Sequence, residues 1–174
     1  MYTLAAGEKA TLVMVYTETA LVRGEVVTSE NIRVNTWLRT AGVPEFMHII
    51  KSQVLIFGSG SVKTLSYSEI FLPVAKVIAF HPVLPADNPM DYSEDEKNRQ
   101  MTPITAIAGT FLFKAQLRTS NLINLAASIE MAHASWSSIY EAQIFNPYLA
   151  QMPPLHIPMI LINPKHVSLA LEGD

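Results

Sequence analysis

A repeated eight-residue pattern is the feature of this sequence that most restricts its fold. Residues 21–28 read LVRGEVVT and residues 112–119 read LFKAQLRT, and both end on a threonine after apolar, basic, small and polar positions. Each copy is followed by a serine, an asparagine and a short apolar stretch. The repetition predicts that one structural unit occurs twice. Because any two half-buried antiparallel sheets share alternation and turns, similarity without duplication is the competing interpretation.

Further similarities extend the alignment of the two halves. The segment SQVLIF at 52–57 matches AQIF at 142–145, and FLPVAKVIAF at 71–80 matches ILINPKHVSLAL at 160–171. In both halves the pattern predicts strand, strand, short helix and three further strands. The serine that follows each motif, at Ser29 and Ser120, predicts the start of the helix because serine is a favoured N-cap residue.

The order of predicted elements indicates a fold class. Gly24 lies inside a predicted strand, where glycine is typical of a bulge or a sharp bend. Five short strands with a helix after the second are typical of small, highly bent antiparallel barrels of the SH3-like or Sm-like type. We therefore predict a mainly-β chain of two tandem small barrels. The predicted domains are 1–82 and 103–174, joined by an acidic, proline-rich linker at 83–102.

A family resemblance accompanies this pattern. The segments NIRVNTWLRT at 31–40, FMHIIKSQVLIF at 46–57 and EIFLPVAKVIAF at 69–80 resemble a small bacterial domain family of unknown function, as does INPKHVSLAL at 162–171. The resemblance implies an Sm-like or SH3-like unit in two diverged copies. Residues 33–39 keep the arginine and the apolar spacing of that family but lack its aspartate. The family brings no established activity, so the resemblance implies a fold rather than a function.

Composition excludes several classes of function. The chain is 49% hydrophobic and only 16% charged, with a formal net charge of −3. The scattered basic residues and the acidic balance argue against nucleic-acid binding. With no cysteine, disulfides, cysteine-ligated zinc and iron–sulfur clusters are excluded. No apolar run is long enough to predict a membrane span, and we expect a cytoplasmic protein.

The reactive side chains do not form a recognisable catalytic or metal-binding pattern. The five histidines have none of the short spacings that are typical of metal-ligand pairs; they are His48, His81, His133, His156 and His166. Most of the clustered carboxylates fall in the predicted linker, where a solvated acidic loop is the expected role. We therefore predict no catalytic residues, no metal site, no cofactor and no enzymatic activity.

The second half has an apolar border that suggests an interface. The residues singled out there are Met152, Pro153, Leu155 and Met159, in a region with few charges. The alternative is that they fill the joint between the two halves. The leading hypothesis is a protein-binding or assembly module, either a homo-oligomer or an accessory subunit of a larger complex. It would act through sheet edges and apolar patches, and a ring is one form of such an oligomer.

A second hypothesis of another class stays open. The chain could be a regulatory domain that binds a small anionic ligand or a nucleotide in the groove between the barrels. Its predicted anion contacts are Arg23, Arg33, Arg39 and Lys114.

Overall fold

The computed structural model describes residues 2–40, 42–58, 61–83, 90–131, 136–149 and 153–171. Within these ranges the chain forms ten strands and two short α-helices. The strands are β1 Glu8–Tyr16, β2 Ala20–Ser29, β3 Phe46–Gly58, β4 Ser61–Pro73, β5 Ala79–Pro82, β6 Arg99–Ala108, β7 Phe111–Ser120, β8 Ser137–Phe145, β9 Leu155–Ile162 and β10 Ser168–Ala170. The helices are α1 Val34–Arg39 and α2 Leu125–Met131.

All ten strands belong to one open antiparallel sheet, in the order β10-β6-β7-β8-β9-β5-β1-β2-β3-β4. The mainly-β class is therefore confirmed, whereas the two closed barrels that the sequence predicts are not found. The reason lies in β5, which pairs with β1 on one side and with β9 on the other. That second pairing joins the halves into one sheet instead of closing the first half on itself.

The pairing of β5 with β9, which we call the joint, is fully buried. Ala79 lies opposite Ile162 and Phe80 opposite Leu161, and each of these four side chains is at most 2% exposed. Beyond the last pair, the backbone N–H of Asn163 donates to the carbonyl of Ile78 at 2.7 Å. The joint therefore combines sheet hydrogen bonds with burial of large apolar side chains, which is how stable sheet interiors are held.

Within each half the strands follow the same spatial order. The first half runs β5-β1-β2-β3-β4 and the second runs β10-β6-β7-β8-β9. The repeated motif forms β2 and β7, and both strands shift register at the same motif position, at Gly24 and Ala115. The facing strands each contain a residue with a φ of 50°, Lys51 and Glu141. The bulge that Gly24 predicts is therefore present, with its extra residue in β3 opposite Gly24, and the second half has the same bulge in β8 opposite Ala115.

The helices start later than the serines predict. Ser29 ends β2 and Ser120 ends β7, and Arg33 precedes α1 without a side-chain cap hydrogen bond. The helix forms because Val34 and Leu38, spaced for one helical face, are both buried. The strand before the helix outlasts the predicted boundary because the antiparallel partner β1 supplies hydrogen bonds as far as Ser29.

Two clusters of buried apolar side chains form the core, and each crosses the joint. The first core contains Val26, Leu38 and Phe80, with Trp136 and Leu161 from the second half. The second core contains Phe111, Phe113 and Ile139, with Tyr16 and Ala79 from the first half. Each half therefore completes the core of the other.

The predicted linker is shorter than the interval 83–102. Residues 84–89 lie outside the described part of the chain, and residues 90–98 contain turns and bends without a helix or strand. The strand β6 starts at Arg99, inside the predicted linker, because residues 99–102 pair with β7. The last four residues of the predicted linker are therefore part of the sheet.

Candidate functional site

The first candidate site is the pair of strands at the two ends of the sheet. Strand β4 has thirteen residues and pairs with β3, and β10 has three residues and pairs with β6. Among the described residues neither strand pairs with a second strand. A long edge strand with free backbone groups is a template for pairing with another chain. We call these two strands the β4 edge and the β10 edge.

The β4 edge carries exposed apolar side chains on one face. Leu65, Tyr67 and Phe71 occupy alternate positions and are 39%, 45% and 60% exposed. Phe71 is stacked on the His48 ring, with centroids 4.6 Å apart and planes 7° apart. His48 in turn lies 3.0 Å from a carboxylate oxygen of Glu69. Phe71 is therefore packed against His48 on one ring face while most of its side chain is exposed.

The second candidate site is a cleft of about 440 Å³ at which the two halves meet. It is lined by Arg39, Asp91, Tyr92, Arg99, Leu117, Arg118, Thr119, Ser128, Ile129, Trp136, Ser137, Ser138, Tyr140, Ile162, Pro164 and Leu169. Arg39 comes from the end of α1 in the first half, and most of the other residues come from the second half and the segment before it. We call this site the cleft.

A hydrogen-bonded network forms one wall of the cleft. The hydroxyls of Ser138 and Tyr140 each donate to a carboxylate oxygen of Asp91 at 2.6 Å. The Arg39 guanidinium lies 2.6 Å from the same carboxylate and also donates to Ser138. The network ties α1 to β8 through the segment before β6, so Asp91 positions the first half against the second.

Burial and charge act in opposite directions on this network. Burial raises the pKa of Asp91, but hydrogen bonds from Ser138, Tyr140 and Arg39 outweigh it and hold that pKa below its usual value. Burial and the adjacent Asp91 carboxylate raise the pKa of Tyr140 strongly. At neutral pH the carboxylate is therefore ionised and the phenol is protonated, as their hydrogen bond requires.

The other two arginines of the cleft are also close to carboxylates. Arg118 donates to Glu96 at 2.6 Å, and its guanidinium lies 4.6 Å from the centre of the Tyr92 ring. Arg99 lies 3.8 Å from the same Glu96 carboxylate. These pairs reduce the net positive charge that the cleft presents.

The four predicted interface residues do not lie together on one surface. Met152 lies outside the described residues. Pro153 and Leu155 line a second, mainly apolar cavity of about 550 Å³, where they are exposed beside Phe111. Met159 is 2% exposed and belongs to β9, so it packs in the interior.

The four predicted anion contacts do not come together. Arg39 lines the cleft. Arg23 is an exposed residue of β2, Arg33 precedes α1, and Lys114 is an exposed residue of β7. The sequence therefore identifies one basic residue of the cleft and misses Arg99 and Arg118.

The residues that the sequence misses have no local signal. Asp91 reads as one more acid in a charged segment, yet its partners Ser138 and Tyr140 are 47 and 49 positions away. A local pattern cannot report such a contact. The pairing of β6 with β7 and of β7 with β8, together with the course of the segment before β6, brings these groups together.

The described residues contain no group of three or more histidine, aspartate or glutamate side chains placed to hold a metal ion. None of their helices has both the length and the apolar character that crossing a membrane requires. Comparison with family models, with curated proteins and with solved structures finds no match to this chain.

Proposed function

We propose that this chain is a non-enzymatic assembly module built from two diverged copies of one five-stranded, strongly bent unit. Three observations support the duplication: the common strand order of the halves, the register shifts at Gly24 and Ala115, and the positive φ of Lys51 and Glu141. A bulge is a defined local feature that requires its own geometry. The register shifts and the positive φ values belong to the same bulge in each half and count as one feature. This shared bulge and the common strand order together are stronger support than shared alternation.

The observation that carries the function is the pair of unpaired sheet edges. The β4 edge offers a thirteen-residue strand together with the exposed apolar side chains Tyr67 and Phe71. Soluble proteins usually protect a long edge with charges, prolines or bulges. Here Lys63 and Glu69 lie on the same face of β4 as Leu65, Tyr67 and Phe71, and Pro73 ends the strand. The three large apolar side chains nevertheless stay exposed. In this proposal the edge recruits protein by adding a strand.

Association in solution tests the proposal. Light scattering from micromolar to millimolar concentration should show an average mass that rises above that of one chain. Replacing Tyr67 and Phe71 with lysine should abolish the rise, since charge on an edge strand opposes pairing. The matched control is Leu122→Lys, because Leu122 is 73% exposed and lies outside both edges. A monomeric mass at every concentration, or equal effects of edge and control variants, would contradict the proposal.

A second candidate function is binding of a small anionic ligand in the cleft. It is favoured by Arg39, a predicted anion contact that lines the cleft with Arg99 and Arg118, and by Ser128, whose buried hydroxyl has no hydrogen-bond partner among the described residues. Calorimetry with inorganic phosphate and with nucleotides tests it. Binding that is lost in Arg39→Gln and kept in Arg23→Gln would support this function, and no heat with any ligand would exclude it.

A further inference from the structure

Resting on the proposed assembly function, we infer that the partner is a second copy of this chain, bound head to tail, with the β4 edge of one copy paired to the β10 edge of the next. The joint is the template for this arrangement. In the joint, the fourth strand of one half pairs with the fifth strand of the other half, β9 with β5. The strands left at the ends of the sheet are the other fourth and fifth strands, β4 and β10.

The register of the proposed contact follows from the register within each half. Glu69 pairs with the residue before Lys51, and Met159 pairs with the residue before Glu141. Phe71 and Leu72 are therefore the counterparts of Leu161 and Ile162.

The β10 edge is aligned through the repeated motif. The first leucine of each motif copy, Leu21 or Leu112, pairs with Tyr16 or Ile107. Tyr16 pairs in turn with Ala79, and Ile107 pairs with Ser168. Ser168 and Leu169 are therefore the counterparts of Ala79 and Phe80. Transfer of the joint to two copies places Leu169 opposite Phe71 and Ser168 opposite Leu72.

The residues at the two edges are more exposed than their counterparts in the joint. Leu161 is 2% exposed, whereas its counterpart Phe71 is 60% exposed. Phe80 is completely buried, whereas its counterpart Leu169 is half-buried. These positions carry large apolar side chains in both halves, but only the first set is covered. Covering Phe71 with a second copy would remove its apolar surface from water, which is favourable.

The cleft supplies a receptor for two aromatic side chains beside the β4 edge, one on β3 and one on β4. In the first half, Val26 and Leu38 are 0% and 3% exposed and pack in one core with Trp136 and Leu161 of the other half. The counterparts of Val26 and Leu38 are Leu117 and Ile129, from matching motif and helix positions, and both line the cleft. Ile129 is 38% exposed. The second half therefore has the same surface without the side chains that would fill it.

Side chains that could take this place are present at the opposite end of the same sheet. Phe46 and Phe71 are the counterparts of Trp136 and Leu161, and they are 45% and 60% exposed. Pairing of the β4 edge with a neighbour's β10 edge would bring both rings to that neighbour's cleft. A chain that carries both the aromatic side chains and their receptor specifies a second copy of itself as the occupant. Such a head-to-tail contact repeats into a ring or a filament.

One residue difference between the two halves makes the contact between copies weaker than the joint. In the joint, the N–H of Asn163 donates to the carbonyl of Ile78 at 2.7 Å. The counterpart of Asn163 is Pro73, which has no N–H to donate. The contact between copies therefore lacks one hydrogen bond and joins a shorter strand, so the association is reversible and depends on concentration.

A disulfide experiment tests the register, using the full chain, which has no cysteine of its own. One preparation carries Phe71→Cys, and a second, tagged preparation carries Leu169→Cys. Opposed residues on paired strands lie within the Cα separation of about 4.4–6.8 Å that a disulfide requires. The matched control mixes Tyr67→Cys with Leu169→Cys, which the proposed register separates by a further ~13 Å along the strand.

We expect the Phe71→Cys and Leu169→Cys mixture to form at least about fivefold more mixed covalent dimer than the control mixture after mild oxidation. In light scattering, Phe71→Ser should weaken association about tenfold or more, as should Phe46→Ser, since each removes an aromatic side chain that the proposed contact would bury. Tyr67→Ser, which is outside the proposed register, should change it much less.

The outcomes separate this inference from the proposed function. Association without a mixed dimer above the control overturns the head-to-tail register and leaves edge-mediated assembly standing. Preferential formation of Phe71→Cys homodimers would show symmetric β4 pairing and likewise overturn only the inference. A chain that stays monomeric at every concentration overturns both.

Discussion

Protonation of one buried histidine should lower the free energy of unfolding of this protein in mild acid. His81 is 2% exposed. Its Nδ1 lies 2.8 Å from the carbonyl of Pro82 and its Nε2 lies 3.0 Å from the hydroxyl of Tyr16. In the neutral ring, Nδ1–H donates to the carbonyl and Nε2 accepts from the phenol. Burial lowers the pKa of His81 from 6.5 to about 4.

The sign and size of the effect follow from this shift. Below pH 6.5 the unfolded chain binds a proton that the folded chain does not, so the free energy of unfolding falls as pH falls from about 6.5 to about 4. The loss contributed by His81 is about 2 kcal/mol at pH 5 and approaches about 3 kcal/mol below pH 4. Carboxylates with lowered pKa values, such as Asp91, lose their contribution at lower pH, so the window between pH 7 and pH 5 isolates histidine.

Urea unfolding at a series of pH values measures this effect. The comparison variant combines Tyr16→Phe with His81→Leu, which removes both members of the pair and leaves neither unsatisfied. The wild type should lose about 2 kcal/mol more than the variant between pH 7 and pH 5. Parallel pH profiles for the two proteins would refute the assignment of a neutral, buried His81.

Two further predictions concern contacts that hold the halves together. Gly109→Ala should cost more than about 2 kcal/mol of unfolding free energy, because φ is +60° and a Cβ would lie 2.6 Å from the backbone oxygen of Glu18. The control is Gly7→Ala: Gly7 also has a positive φ, but a Cβ there would have no atom within 4 Å. This variant should cost only about 1 kcal/mol in urea unfolding. Equal losses for the two variants would show that the contact of Gly109 with Glu18 is unimportant for stability. Asp91→Ala should cost about 1–3 kcal/mol in thermal or urea unfolding, since its three donors lose their acceptor. The exposed control Asp95→Ala should be near neutral, and similar values for both would argue against the network.

Local pattern predicts the elements of this fold well and their long-range pairing poorly. The alternation in the repeated motif identifies β2 and β7, and Gly24 predicts the bulge, because these features depend on residues close in sequence. The helix starts are wrong because a serine can equally end a paired strand, as Ser29 does. The continuous sheet is missed because no local signal marks that β5 will pair with β9.

The candidate sites, too, depend on long-range contacts that the local sequence pattern does not predict. Exposure on the β4 edge depends on which strands lack a neighbour, which alternation cannot determine. Met159 is in the interior, whereas the sequence shows only an apolar border, because alternation does not determine what packs over each face of β9. The cleft depends on contacts of Asp91 with residues more than forty positions away. Sequence distance, rather than ambiguous chemistry, is what hides these residues.

The central position of β5 has a consequence for how the chain folds during synthesis. Its second neighbour, β9, leaves the ribosome only after more than seventy further residues have been made. Until then the apolar side chain of Phe80 lacks its opposite residue, Leu161, so the nascent first half exposes a hydrophobic strand border. Such high-contact-order pairing is expected to be slow and prone to aggregation. A fragment that ends at residue 83 should therefore expose this border permanently and be less soluble than the full chain.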